Sequence, residues 1–366
     1  MLRWMDGFEQ YGTEETHLLE GVGGAAAWSE VTASSCLLST VNPATGSYHM
    51  RIDSSVGFGV SDRMRRALGQ SKQVSGLGYR FAVDDLPDVE EDSESSGVYL
   101  SMVQWRDVGN IGQIRVNLGT EGSVRALRGN TELGRSDPCI AAGGYHHFEA
   151  KAKIDETTGY VEVRVNEVTV LNLTGIDTQT SANAESSQFR IELKPVTGSH
   201  VDVVMDLDDV FAWDDDATDA ENTVVDFVGD KGCYYLKPNA DTATSEFTLS
   251  AGSTSYSLID EVPPSATDYL DDATGSARTI VQVEALPANV AEVIAFMPVI
   301  YARKEESGTV NLRGGVVVGT DESYTATDSP STEYAYMTPT PKTINPDTGV
   351  AWESNANPDL LIERTA

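Results

Sequence analysis

The sequence predicts an all-β protein of two β-rich units, and three observations carry that expectation. Apolar residues recur with period two along most of the chain. Glycine (32) and proline (14) punctuate these runs, in the company of many Ser, Asn and Asp. Long amphipathic helices are not legible, and the longest apolar run, Val293 to Ala302, is of strand length with Pro298 inside it. With 366 residues the chain is long enough for two cores, and 40% hydrophobic residues is too many for disorder despite a net charge of −32.

Taken in order, the opening Met1-Leu2-Arg3-Trp4-Met5-Asp6-Gly7 lacks the apolar stretch of a signal peptide, so synthesis in a cytosol is expected. Ser61 to Leu68 is read as at most two helical turns. Its Arg63, Arg65 and Arg66 form the one compact basic cluster, expected to be a solvated face or a partner for carboxylates before a phosphate site. Asp84 to Glu94 reads as an acidic loop. Strands are expected at Ile114-Val116-Leu118, Phe189-Ile191-Leu193 and Val201-Val203 running on to Leu207. Between Phe148 and Val165 the alternation Phe148, Ala150, Ala152, then Val161, Val163, Val165 predicts a hairpin around Asp155–Gly159, one face wet and one dry.

A break falls at Asp214–Glu221, five like charges in eight positions, and is read as a solvated link. Residues 1–213 carry 17 basic and 31 acidic side chains, net −14; from the break onward there are 8 and 26, net −18. The expected organisation is residues 1–213, a linker 214–221, and a smaller β unit 222–366 with strand signals at Val281, Val310, Val316–Val318 and Tyr334.

The charge disfavours phosphate backbones and anionic membranes as partners. Cys36, Cys139 and Cys233 are too few and scattered for a disulfide framework or zinc site. Among His17, His49, His146, His147 and His200 none accompanies a nucleophile elbow, and His146 and His147 should point to opposite faces. Gly21–Gly24 and Gly76-Leu77-Gly78 lack the Lys-Ser/Thr of a phosphate cradle and read as turns or bulges. No paired-carboxylate string of a glycosidase is present. Asp206, Asp208 and Asp209 offer hard oxygens for calcium, yet without an EF-hand pattern they read as an acidic turn. Trp4, Trp28, Trp105, Trp213 and Trp352 are expected to be buried before they are sugar platforms. No catalytic, cofactor or metal residue is assigned, and an enzyme is not expected.

The run "IRVNLGTEGSVRALRGNTELGRS" followed by "YHHFEAKAKIDETTGYVEVRVNEVTVLNLTG" resembles the centre of concanavalin A-like (laminin-G/jelly-roll) domains. Asp6-Gly7-Phe8-Glu9 and Asp208-Asp209-Val210-Phe211 fit the paired terminal strands of such domains. The tail, from "ADTATSEFTLSAGSTSYSLIDE" to "NPDTGVAWESNANPDLLIERTA", resembles the domain that follows the jelly roll in a family of tailed-bacteriophage virion proteins. That resemblance implies a non-enzymatic, homo-oligomeric head, neck or tail decoration component. It would be located on the virion after synthesis in the host cytoplasm, with its own copies and other virion proteins as partners. The alternatives are an adsorption protein whose jelly roll grips a host surface glycan and, less favoured, a polysaccharide hydrolase.

Overall fold

A computed structural model describes residues 1–12, 28–31, 36–41, 43–54, 62–87, 97–196, 203–272, 275–305 and 308–365. Two antiparallel sheets form a jelly-roll sandwich. The strands are β1 (Leu2–Asp6), β2 (Glu30–Val31), β3 (Cys36–Ser39), β4 (His49–Asp53), β5 (Asp62–Lys72), β6 (Val74–Val83), β7 (Gly97–Arg106), β8 (Gly112–Leu118), β9 (Val124–Arg128), β10 (Thr131–Arg135), β11 (His146–Lys153), β12 (Gly159–Val165), β13 (Val168–Ile176), β14 (Ser186–Val196) and β15 (Val204–Asp214). One sheet runs β13-β12-β11-β6-β15-β4-β3, with β1 also on β15; the other runs β10-β9-β8-β7-β14-β5-β2.

The core between the sheets is built by the inward half of each alternation. Tyr79, Phe81 and Phe148 come from one sheet, and Trp105, Phe189 and Ile191 from the other. Trp105 meets Phe189 edge to face, with centroids 6.0 Å apart. Two polar tips satisfy themselves across the gap: Tyr79 Oη donates to Met102 O at 2.7 Å and Trp105 Nε1 to Ser75 O at 3.2 Å. The expected hairpin stands in register, Phe148 opposite Val165 and Ala152 opposite Val161. The terminal strands pair as expected, Asp6 opposite Val210. All five tryptophans are buried.

Buried Asp6 organises the entry of the chain. Its carboxylate accepts Phe8 N–H and Gln10 Nε2–H at 2.8 Å, Tyr11 Oη–H at 2.8 Å and Trp28 Nε1–H at 3.0 Å. Gly76 and Gly78 lie in β6 as straight strand, where an added Cβ would strike the rings of Trp213 and Phe211; they are close-approach positions, not turns.

The second unit contains β16 (Pro238–Ser245), β17 (Thr248–Leu249), β18 (Leu270–Asp271), β19 (Arg278–Val283), β20 (Ile300–Ala302), β21 (Asn311–Val318), β22 (Asp321–Tyr324), β23 (Ala335–Met337) and β24 (Asp359–Thr365). Its main sheet is ordered β16-β19-β24-β21-β22. It is packed onto the sandwich: Tyr336 Oη donates to Gln10 O at 3.1 Å, and its ring meets Tyr11 at 5.3 Å. Asn222 bridges the two, accepting Leu2 N–H at 2.9 Å and donating to Leu2 O and Pro341 O.

Several local expectations are corrected. The segment read as helical turns is the long strand β5, because Met64 and Leu68 are buried while Arg63 and Arg65 face away from the core. Ser61 itself lies outside the described residues, as do most of Asp84–Glu94, His17, His200, Gly21–Gly24 and Val201-Asp202. Within Val293–Ala302 only Ile300–Ala302 is a strand. The acidic stretch is tied down at three of its five carboxylates, while Asp215 stays exposed. Asp214 closes β15 and binds Arg3 Nε at 2.5 Å; Asp216 pairs with Arg3 and Lys72 at 2.9 and 3.0 Å; Glu221 pairs with Lys342 at 2.6 Å. Cations distant in sequence pair with these three carboxylates.

Candidate functional site

The outward face of the seven-stranded sheet gathers the arginines. Antiparallel register sets Glu30 opposite Arg65, Arg65 opposite Arg190, Arg190 opposite Gln104 and Gln104 opposite Arg115, a single polar rung over five strands. The neighbouring rung runs Arg63, Glu192, Ser101, Asn117, Arg125. Each rung is made by the outward half of a strand whose inward half (Met64, Ile191, Trp105, Val116) fills the core.

At the centre, four guanidiniums (Arg63, Arg65, Arg106, Arg190) crowd two carboxylates. Glu30 pairs with Arg63 Nε at 2.5 Å and with Arg65 Nε at 3.2 Å. Arg190, only 9% exposed, reaches Glu192 at 3.8 Å, and its Nε has no hydrogen-bond partner among the described residues. Arg106 donates to Gln104 and to Asn110 Oδ1, the latter at 2.7 Å. Burial, then the positive charge of Arg190, brings the Arg106 pKa down to about 10; burial lowers that of Arg190, against Glu192 and with Arg63 and Arg65 adding to the decrease. In a chain of net charge −32 this is a local concentration of desolvated cations. Chemically it is a donor array for planar anions, since guanidinium forks match carboxylates two bonds at a time.

The opposite face, on the eight-stranded sheet, is closed by the chain itself. Residues 224–233 lie across it as irregular backbone. The Phe227 ring sits 3.8 Å from the Arg164 guanidinium and meets Trp213 at 5.8 Å. Lys151 Nζ pairs with Asp226 at 2.7 Å, Arg80 with Asp230 at 2.7 Å, and Glu149 accepts Val228 N–H at 2.6 Å. His147 is buried beside this strap, its ring stacked on Phe211 at 6.3 Å, while His146 is half-buried on the other side of the strand.

The three aspartates weighed for calcium are here, and protein donors hold each of them. Asp206 accepts from His49 at 3.0 Å and Arg51 at 2.7 Å. Asp208 accepts the N–H groups of Ala44 and Thr45 at 3.0 Å. Asp209 accepts from Thr45 Oγ1, Arg80 and Cys233 N–H. Among the described residues no group of His, Cys, Asp and Glu is arranged to hold a metal ion.

A cavity of about 860 Å³, of mixed polar and apolar lining, lies where the second unit meets the sandwich, with Phe211, Tyr234, Phe296 and Tyr301 beside Asp230 and Glu261 in its wall. Of the basic cluster read in the sequence, Arg63 and Arg65 join the arginine face as carboxylate partners. Arg66 turns inward, its guanidinium 4.9 Å over Trp4, and donates to Thr338. Arg106, Gln104 and Arg190 were missed; the outward alternation Gln188-Arg190-Glu192-Lys194 was the available signal.

No family model and no curated protein matches this chain. Solved structures similar to it include a sialidase (TM-score 0.40, 13% identity, 60% of this chain and 19% of the sialidase) and the alginate lyase Aly36B (0.38, 12%, 57% and 95%). Another is a galectin-like protein of unknown function from Bacillus subtilis (0.34, 8%, 54% and 93%). The match thus spans about a fifth of the sialidase. These findings correct the expectation of a tailed-phage structural or adsorption component: the folds found beside this one are those of a sialidase, alginate lyases and a galectin-like protein, and no phage family model matches. No helix among the described residues is long and apolar enough to cross a membrane.

Proposed function

We propose that this chain is a non-catalytic binding protein whose arginine-lined sheet face takes an acidic polysaccharide. The observation that carries the reading is the crowding of Arg63, Arg65, Arg106 and Arg190 around two carboxylates, with Arg190 nine-tenths buried and its Nε unmatched among the described residues. A ligand carboxylate placed against Arg106 and Arg190 relieves their mutual repulsion. The groups gathered there are guanidinium and amide donors with two carboxylates, Glu30 and Glu192, each already facing an arginine, an array that holds an anion without altering it.

The net charge of −32 selects among polyanions. Duplex nucleic acid carries a charge per ~1.7 Å of axis, and the field of the whole protein opposes it. A polymer with one carboxylate per sugar is sparser, so short-range pairing outweighs long-range repulsion. Calorimetric titration with a polyuronate, a neutral glucan and duplex DNA tests the reading. Saturable, salt-sensitive binding of the polyuronate alone is expected, and Arg190→Gln should weaken it by about 1.5–3 kcal/mol, the worth of a charged hydrogen bond. Equal affinity for the neutral glucan, or preference for DNA, overturns it.

A further inference from the structure

Resting on that reading, we infer that the bound polymer crosses the strands, lying along the rung Arg65–Arg190–Gln104–Arg115, with Arg190 as the residue that sets the demand for an acid group. The geometry of the face discriminates between two directions. Along a strand, same-face positions recur every ~6.7 Å; across strands, every ~4.8 Å.

The along-strand paths are blocked by charge or cut short. On β14 a ligand leaving Arg190 meets Glu192 on one side, a carboxylate against a carboxylate, and on the other Gln188, whose amide N–H already donates to Asp107 O. On β5 it meets Arg63 and Arg65 and then Ala67, which has no polar atom to offer. On β7 it passes from Arg106 and Gln104 to buried Ser101.

The crossing path has no such interruption. From β5 to β8 it meets guanidinium, guanidinium, amide, guanidinium at successive strands, and its only carboxylate, Glu30, stands at the far end on β2. Gln104 on β7 carries an amide suited to a hydroxyl, while its carbonyl oxygen already accepts from Arg106. Arg115 closes the path on β8, anchored by donation to Gly129 O at 2.6 Å. A 1,4-linked pyranoside chain advances by about 5 Å per sugar, close to the ~4.8 Å spacing between strands. Four consecutive uronates therefore reach from Arg65 to Arg115, with acid groups wanted at the first, second and fourth.

The test is a titration of oligouronides of two to six sugars against the full chain and four single variants, with circular dichroism confirming the fold of each. Affinity should climb steeply up to four sugars and then level off. Arg65→Gln and Arg115→Gln, at opposite ends of the rung, should each weaken the tetramer about tenfold, one unit of 1.4 kcal/mol. Off the rung, Lys194→Gln should change it by less than about twofold. If Arg190→Gln abolishes binding but a disaccharide binds as tightly as the tetramer, or Lys194→Gln weakens it as much as the rung variants do, the crossing direction is wrong while the face stands. If no uronide of any length binds, the reading of the face itself falls. Should Arg115→Gln fail to fold, Arg65→Gln, only partly buried, carries the same comparison.

Discussion

Glu149 on β11 accepts the backbone N–H of Val228 at 2.6 Å and that of Gly229 at 3.1 Å, one carboxylate gripping two successive peptide groups. This grip seals the outer face of the eight-stranded sheet and leaves the arginine face of the other sheet as the sandwich's cationic surface. Glu149 is only 1% exposed, and burial raises its pKa. Glu149→Ala leaves two donors unmatched and should cost about 2–4 kcal/mol. Hydrogen exchange should quicken at Val228 and Gly229 and stay unchanged in β7, β8 and β14. Unaltered protection at Val228 would show that the strap is held by other contacts.

A pH dependence follows from Asp208. Burial and the adjacent Asp209 carboxylate push its pKa up to about 8. A folded-state value above the unfolded value of ~3.9 means that stability is full below that value and is lost as pH rises through 8. The melting temperature should therefore fall between pH 6 and pH 9, by about 2–4 °C for each kcal/mol lost. Asp208→Asn should flatten that slope in calorimetric scans at matched ionic strength.

Asp6 accepts four hydrogen bonds while almost wholly buried. Asp6→Ala orphans the Phe8, Gln10, Tyr11 and Trp28 donors together, and a loss of about 3–5 kcal/mol is expected in urea denaturation. Asp6→Asn, which keeps one acceptor oxygen and the side-chain volume, should lose less.

Gly76 has room for no side chain because the Trp213 ring lies over it. Gly76→Ala should displace that ring, loosen its contact with Phe227, and destabilise by about 1–3 kcal/mol. The Trp213 fluorescence should shift to the red. Retained fluorescence with unchanged stability would mean that the ring has somewhere else to go.

What could be read in advance follows the physics of alternation. The Phe148–Val165 hairpin was legible because a period of two within one segment states which side chains face inward, and its turn residues state where the chain reverses. The pairing of Asp6 with Val210 was reached through resemblance, since nothing local in either strand names a partner two hundred residues away. The arginine face was illegible for the same reason. Arg65, Arg190, Gln104 and Arg115 become neighbours only through the order β5-β14-β7-β8. The acidic stretch at Asp214–Glu221 misled because composition counts the charges of a segment and is blind to Arg3, Lys72 and Lys342, which pair with Asp214, Asp216 and Glu221 from elsewhere. Met64 and Leu68 in β5 already carried the period of a strand, and the arginines between them hid it.

The most direct measurement compares polyuronate affinity of the unaltered chain with that of the double variant Arg106→Gln/Arg190→Gln over a salt series. Saturable binding to the unaltered chain that weakens with salt, and its loss by at least about a hundredfold in a variant with native circular dichroism, is the predicted result. Binding of equal strength and equal salt dependence in both proteins would place the ligand elsewhere and contradict the account.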